Sequence, residues 1–253
     1  MNGKTFIVVG AAGRLGKAIV DAALDCGANI VAVDQSKKAL KDIKVKQSDN
    51  KNFFAVEGDI TQASSIQRII ETAVENFGSL DGAVNTAYPR NENYGRSFFD
   101  VTYEDFCENV SLHLGGYFLF MQQCAKYALA KQTKFSLVNM SSIYGVMAPR
   151  FEIYAGTSMT MPVEYAAIKS ALQHLGSYVS AYTKGSKFRV NSVSPGGVLA
   201  GQDQAFLNRY NSYCRDKGML ESKDIVGAVL FLLSDSSEYI CGQNIVIDDG
   251  FCS

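Results

Sequence analysis

With 253 residues, 47% of them hydrophobic and 19% charged, the chain has enough apolar material for a sizeable core and too little charge for disorder. Its net charge of −1 comes without a basic stripe, which argues against a nucleic-acid or anionic-membrane partner. The longest apolar runs, such as Leu112–Met121 and Ile225–Leu233, fall far short of a bilayer span, and the N-terminal segment enters a strand without a cleavage site, so a cytoplasmic protein is expected.

In chain order, Thr5–Gly10 reads as a strand and Leu15–Cys26 as a helix. Strands Ile30–Asp34 and Phe53–Gly58, the helix Ala63–Phe77 and the strand Leu80–Asn85 follow. A long helix is expected from about Tyr103 to Ala130, with Thr102 and Asp105 as a capping pair. Phe135–Ser141 is the next strand, and Pro162 suits the first turn of a helix reaching about Tyr182. Strands Phe188–Val193 and Asn244–Ile247 enclose a helix near Lys223–Leu233. Runs such as FIVVG and FSLVNM are continuously apolar, as a parallel sheet covered on both faces requires. The pattern predicts one α/β domain over 1–253, a Rossmann-type doubly wound parallel sheet in three α/β/α layers, with ligands beyond the carboxyl ends of its strands. Tyr88–Asp100 and Tyr144–Met161 break the rhythm just after strands, so both should fall on the ligand side. The six cysteines lack CxxC spacing, and neither His113 nor His174 sits by a cysteine pair; reduced thiols and no metal are expected.

Gly10, Gly13 and Gly16 stand between the first strand and the first helix. Glycines there let the chain turn tightly and bring a pyrophosphate against the helix N-terminus, although such a segment can also be a plain turn. Arg14 and Leu15 complete that turn, and Arg14 could reach a phosphate. Asp34 ends the second strand, where a carboxylate accepts hydrogen bonds from ribose hydroxyls and repels a 2′-phosphate. Gln35 follows instead of a basic residue, so NAD is the expected cofactor and NADP the less favoured one. The alternative role for Asp34 is to cap a helix beginning near Ser36. Asp59 and Ile60 lie where an adenine ring would rest, and Asn85 could hold either adjoining backbone or cofactor.

Tyr165 and Lys169 are spaced four apart, on one helix face. A free phenol titrates near ~10, too high for a base at neutral pH. A neighbouring ammonium lowers that value by favouring the phenolate. Upstream, Ser142 can donate a hydrogen bond to a substrate oxygen.

Taken together, the glycine turn, Asp34, Asp59, Val84-Asn85-Thr86-Ala87, Ser142, Tyr165 with Lys169, and Asn191-Ser192-Val193-Ser194-Pro195-Gly196 resemble the short-chain dehydrogenase/reductase family over nearly the whole chain. The resemblance implies that Tyr165 is the general acid/base, that Lys169 binds ribose and lowers the phenol's pKa, and that Ser142 positions the carbonyl or alcohol. It also implies that Ala87, Pro195 and Gly196 border the cofactor and that the backbone of Val198 meets the nicotinamide carboxamide. A homodimer or homotetramer is implied as well.

Several residues depart from that family's pattern. Arg14 stands where the middle glycine is usual, Tyr88 adds bulk after strand four, and Ala200 replaces a common threonine. His113 occupies the place of the active-site asparagine: it either serves a proton relay or is a helix residue bonded to backbone. Ser142 and Tyr165 are 23 positions apart, longer than the family norm. Tyr154 sits nearer the usual distance, but Ser158 stands where its lysine should be, so Tyr165 is the better candidate. The inserted stretch, Ala148 to Met161, should border the substrate.

Tyr88, Arg90 and Arg96 after strand four, and Arg150 and Met159 after strand five, join Ser142 as candidate substrate residues. The cations suit a phosphate, carboxylate or polyhydroxylated substrate, or else form a solvated loop surface. A narrower resemblance links NTAYPRNENYGRSF, HLGGYFLF and the segment from Ser141 to Ala171 to the flagellin-modification protein A group, dehydrogenase-like proteins associated with bacterial nonulosonic (legionaminic- or pseudaminic-type) acid pathways. That resemblance implies an amino-sugar or sugar-phosphate substrate. The competing readings are an NADPH-dependent ketoacyl-type carbonyl reductase, an epimerase or dehydratase with tightly held NAD, and a non-catalytic NAD-binding protein.

Overall fold

A computed structural model describes residues 1–253. Seven strands, β1 (Thr5–Val9), β2 (Asn29–Asp34), β3 (Phe53–Glu57), β4 (Gly82–Asn85), β5 (Phe135–Met140), β6 (Phe188–Pro195) and β7 (Asn244–Ile247), form one fully parallel sheet in the order β3-β2-β1-β4-β5-β6-β7. The strand direction of growth reverses between β1 and β4, which opens the crevice where doubly wound folds bind ligands.

The apolar strands are used on both faces. Phe6 and Val8 point into one core, with Val20 of α1 (Arg14–Asp25) and Val229 of α8 (Ser222–Leu233), while Ile7 and Val9 point into the other. That second core contains Ile69 of α3 (Ala63–Phe77) and Phe120 of α5 (Gly115–Lys131), with Leu172 of α6 (Val163–Tyr182). The period of two along each strand thus divides its side chains between two helical layers. The lysine-rich α2 (Lys37–Lys46) packs Leu40 and Ile43 under β2 and β3.

The long helix expected from Tyr103 is present but not uniform. It runs as α4 (Tyr103–Asn109), with Thr102 accepting from the Asp105 amide as its cap, then a π-helical turn (Val110–Leu114), then α5. A π turn accommodates one extra residue and is a frequent device at functional sites. Pro162 proves to be the N-cap of α6 rather than part of its first turn. A further helix, α7 (Gln204–Asn211), was not anticipated; its short, polar-rich sequence has too few turns to show a period. Phe206 and Tyr210 of α7 join Ile143, Ile153, Met219 and Phe251 in a small third core outside the carboxyl ends of β5 and β6. The insertion therefore folds against the body of the protein instead of hanging from it.

Candidate active site

The β1–α1 turn depends on backbone that only glycine allows. Gly10 adopts φ 72°, and a Cβ there would lie 2.7 Å from Thr86 Oγ1 and 2.9 Å from the Ala87 amide. A Cβ on Gly16 would collide with the Gly10 carbonyl. The turn thus leaves a bare backbone cradle at the start of α1, with exposed Gly13 and Arg14 facing the cleft. A smaller depression, lined by Gly10, Asp34, Gln35, Asp59 and Ile60, adjoins it through Ala87 and Tyr88. Both Asp34 oxygens accept from backbone, Oδ2 from Ala12 N at 3.0 Å and Oδ1 from Ser36 N at 3.0 Å. The cap of α2 is Ser36, which accepts from Ala39 N, so Asp34 shapes the depression and is not the helix cap.

The main cleft, of about 740 Å³, brings Gly13, Arg14, Leu15 and Gly16 opposite Ser142, Tyr165, Lys169, Pro195, Gly196 and Val198. These residues come from the start of α1, the turn after β5, α6, and the end of β6 with the turn that follows it, and they meet beyond the carboxyl ends of the strands, as the strand order requires. Lys169 is buried, and its Nζ donates to Met140 O at 2.8 Å and lies 3.3 Å from His113 Nε2. Burial pulls the Lys169 ammonium down to about 7. The imidazole of His113, fully buried and beside the Lys169 and Arg90 cations, is pushed down to about 2. It is therefore neutral and faces Lys169 through Nε2, while the protein offers no partner to Nδ1. The π turn aims this ring at Lys169, so the alternative of a backbone-bonded helix histidine is set aside.

Tyr165 requires a correction. Lys169 was expected to lower its phenol; instead burial raises it, opposed in part by a hydrogen bond from Ser142. Lys169 Nζ stands 5.4 Å from the centre of the Tyr165 ring, held there by Met140 and His113. Desolvation of both groups outweighs their mutual attraction.

The family model described as enoyl-(acyl carrier protein) reductase matches residues 10–252. The post-translational flagellin modification protein A of Campylobacter coli is 36% identical over 254 residues, covering 99% of this chain and 99% of that protein. The chain belongs to the short-chain dehydrogenase/reductase family. Xanthoxin dehydrogenase of Arabidopsis thaliana is 30% identical, over 98% of this chain and 90% of its own. A short-chain dehydrogenase of Leptospira borgpetersenii, solved with bound NAD+, superposes with a TM-score of 0.88 at 30% identity, covering all of this chain and 94% of that one. The protein is thus an oxidoreductase of this family.

In this short-chain dehydrogenase/reductase, Tyr88, Arg90, Ser142 and Met159 all line the cleft. Arg90 lies over the Tyr88 ring at 4.7 Å, and Tyr88 meets both Tyr165 and His113 edge-on at 5.6 and 5.1 Å. The other two arginines are placed elsewhere. Arg96 donates to Asp105 at 3.1 Å and to Asn93 at 2.7 Å, which pins its loop to α4. Arg150 lies over the Tyr213 and Phe251 rings, at 4.3 and 5.4 Å, and donates to Phe251 O. Asn85 is fully buried below the cleft, and its Oδ1 accepts from Ala87 N at 3.1 Å, so of its two expected roles it takes that of holding the adjoining backbone.

Further residues complete the walls, Tyr154 and Met161 among them from the inserted stretch that was expected to border the substrate. Tyr144, Tyr154, Met161, Phe206, Tyr210 and Met219 make the substrate side largely aromatic and sulfur-rich. Gln173, one turn beyond Lys169, donates to Ser141 Oγ, Ser142 O and Ser194 Oγ and so ties β5, α6 and β6 together under the site. Glu164 is completely buried, receives Asn109 Nδ2 at 3.3 Å on Oε1, and has no partner on Oε2. A glutamate beside Tyr165 carries no periodic or motif signal, so it could not be found by reading the chain.

Proposed function

We propose that this protein transfers hydride between NAD and an alcohol or ketone of a small, polar, sugar-derived substrate in flagellin-glycan biosynthesis. The convergence of Tyr165, Ser142 and Lys169 opposite the bare backbone of the glycine turn carries this reading. The cradle fits a dinucleotide: Gly13, Arg14 and the start of α1 suit a pyrophosphate, while Asp34, Asp59 and Ile60 suit the adenosine half. Lys169 would hold the ribose, with Pro195, Gly196 and Val198 beside the nicotinamide. The Asp34 carboxylate at the ribose end, with no cation beside it in the lining, favours NAD over NADP.

When bound, the nicotinamide supplies the hydride donor or acceptor. Ser142 donates to the reacting oxygen and sets its direction. Because burial keeps the Tyr165 phenol protonated, it gives its proton to a carbonyl oxygen as reduction proceeds, and takes one from the alcohol in reverse. Lys169, held near neutrality, compensates the phenolate by keeping its own proton. Arg90, which makes no ion pair and lines the cleft, suits a carboxylate or phosphate on the substrate. The name of the Campylobacter coli relative supports the pathway. The exposed rings of Phe118 on α5, and of Tyr178 and Tyr182 on α6, support a homo-oligomer.

The test is NADH formation with a panel of sugar phosphates, amino sugars and sugar acids, run beside NADP+. Tyr165→Phe should lower kcat by roughly 10²–10⁴ with cofactor affinity retained. Full activity in that variant, or tighter binding of NADP+, would overturn the corresponding part of the proposal.

A further inference from the structure

The Tyr144 and Tyr154 hydroxyls are 2.9 Å apart on the substrate wall of the cleft that holds Ser142 and Tyr165. Tyr144 comes from the turn after β5, where its amide donates to Ser142 Oγ at 3.2 Å. Tyr154 comes from the inserted stretch and is firmly held. Its ring packs on Phe206 at 5.3 Å, its neighbour Ile153 is fully buried, and Arg209 donates to the carbonyls on either side, Ile153 O at 3.0 Å and Ala155 O at 2.7 Å. Burial raises both phenols, so both keep their protons. Two phenols carry two protons, and their mutual hydrogen bond uses one. The second proton, with the remaining lone pairs, has only the Met161 sulfur, at 3.6 Å from the Tyr154 oxygen, as a weak neighbour.

We infer that the Tyr144–Tyr154 hydroxyl pair is a second oxygen-binding subsite, which receives a hydroxyl or amide oxygen on the carbon next to the reacting one. The inference rests on Ser142 and Tyr165 taking the reacting oxygen. Their neighbouring position makes the pair a selector for vicinally oxygenated substrates over simple secondary alcohols. A hydroxyl lost from the substrate would leave the pair's free proton unpaired in a largely apolar pocket, which penalises the deoxy analogue. This also gives the inserted stretch a role: it delivers one hydroxyl of the pair to a wall that also holds Phe206, Met159 and Met161.

The test uses the intact protein with NAD present and a panel of hexoses and 2-acetamido-hexoses, each beside its counterpart lacking the neighbouring oxygen. Ligand-observed NMR measures affinity, and absorbance measures NADH formation. At least one oxygenated sugar should bind roughly tenfold more tightly than its deoxy partner, and Tyr154→Phe and Tyr144→Phe should each bring that ratio towards one. Either substitution keeps the ring, and circular dichroism checks the fold. Absence of a preference in every pair, or a preference that survives both substitutions, overturns the subsite. NADH formation that depends on Tyr165 in the absence of such a preference would leave the oxidoreductase reading standing. A preference seen in binding, with no NADH formed from any sugar, would do the reverse.

Discussion

Lys169 is the residue whose environment is most at odds with its chemistry. Its ammonium is enclosed by Met140 O, the neutral His113 ring and the faces of Tyr117 and Tyr165, with no carboxylate in contact. Its pKa falls from 10.5 to about 7, so between those values the unfolded chain holds a proton that the fold lacks. Stability then rises with pH across that window, by up to about 1.4 kcal/mol per pH unit from this group, and has no slope from it below the window. Lys169→Met removes the dependence. The Tm of the wild type relative to that of the variant should therefore rise as pH goes from about 7 to 9, and a constant offset would show that Lys169 does not titrate there. His113→Leu makes a second prediction at this scale. It takes away the acceptor facing Lys169, and kcat/KM should fall while NAD affinity stays within a few fold, as read by single-turnover kinetics and fluorescence quenching.

Between elements, the buried chain Glu164–Asn109–Asn91 joins the first turn of α6, the end of α4 and the loop that carries Tyr88 and Arg90. Asn109 donates to Glu164 and to Asn91 Oδ1, and accepts from Asn91 N at 2.9 Å. Asn109→Ala leaves these groups unpaired, at a cost of about 1–3 kcal/mol. In a chain of this size that lowers Tm by roughly 2–10 °C, and calorimetry checks it. This layer of the structure is where reading the sequence fell short. Strands and glycine turns were legible because their signals are local: period, apolar runs, a bare turn. The π turn at Val110–Leu114 was not, since a single extra residue leaves the helical pattern looking continuous. Arg96 and Arg150 were misplaced for a related reason. A loop arginine looks the same whether it faces solvent, a ligand or, as here, Asp105 and a pair of aromatic rings.

For the whole molecule, the doubly wound parallel architecture and the position of the cleft beyond the strand ends were readable from the alternation of strand and helix alone, because a parallel sheet with right-handed crossovers permits few arrangements. What surrounds the molecule was less so. The stacked, exposed Tyr178 and Tyr182 rings, 6.3 Å apart, predict association through α5 and α6. Light scattering should give a mass of at least two chains, and Tyr178→Glu with Tyr182→Glu should reduce it. The hold of Arg209 on Ile153 O and Ala155 O has a consequence for anyone recombining parts of such enzymes. The inserted stretch and α7 form one transplantable unit although the chain between them carries α6 and β6. Grafted alone into a relative, the insertion would arrive without its clasp; a chimera needs both segments exchanged together.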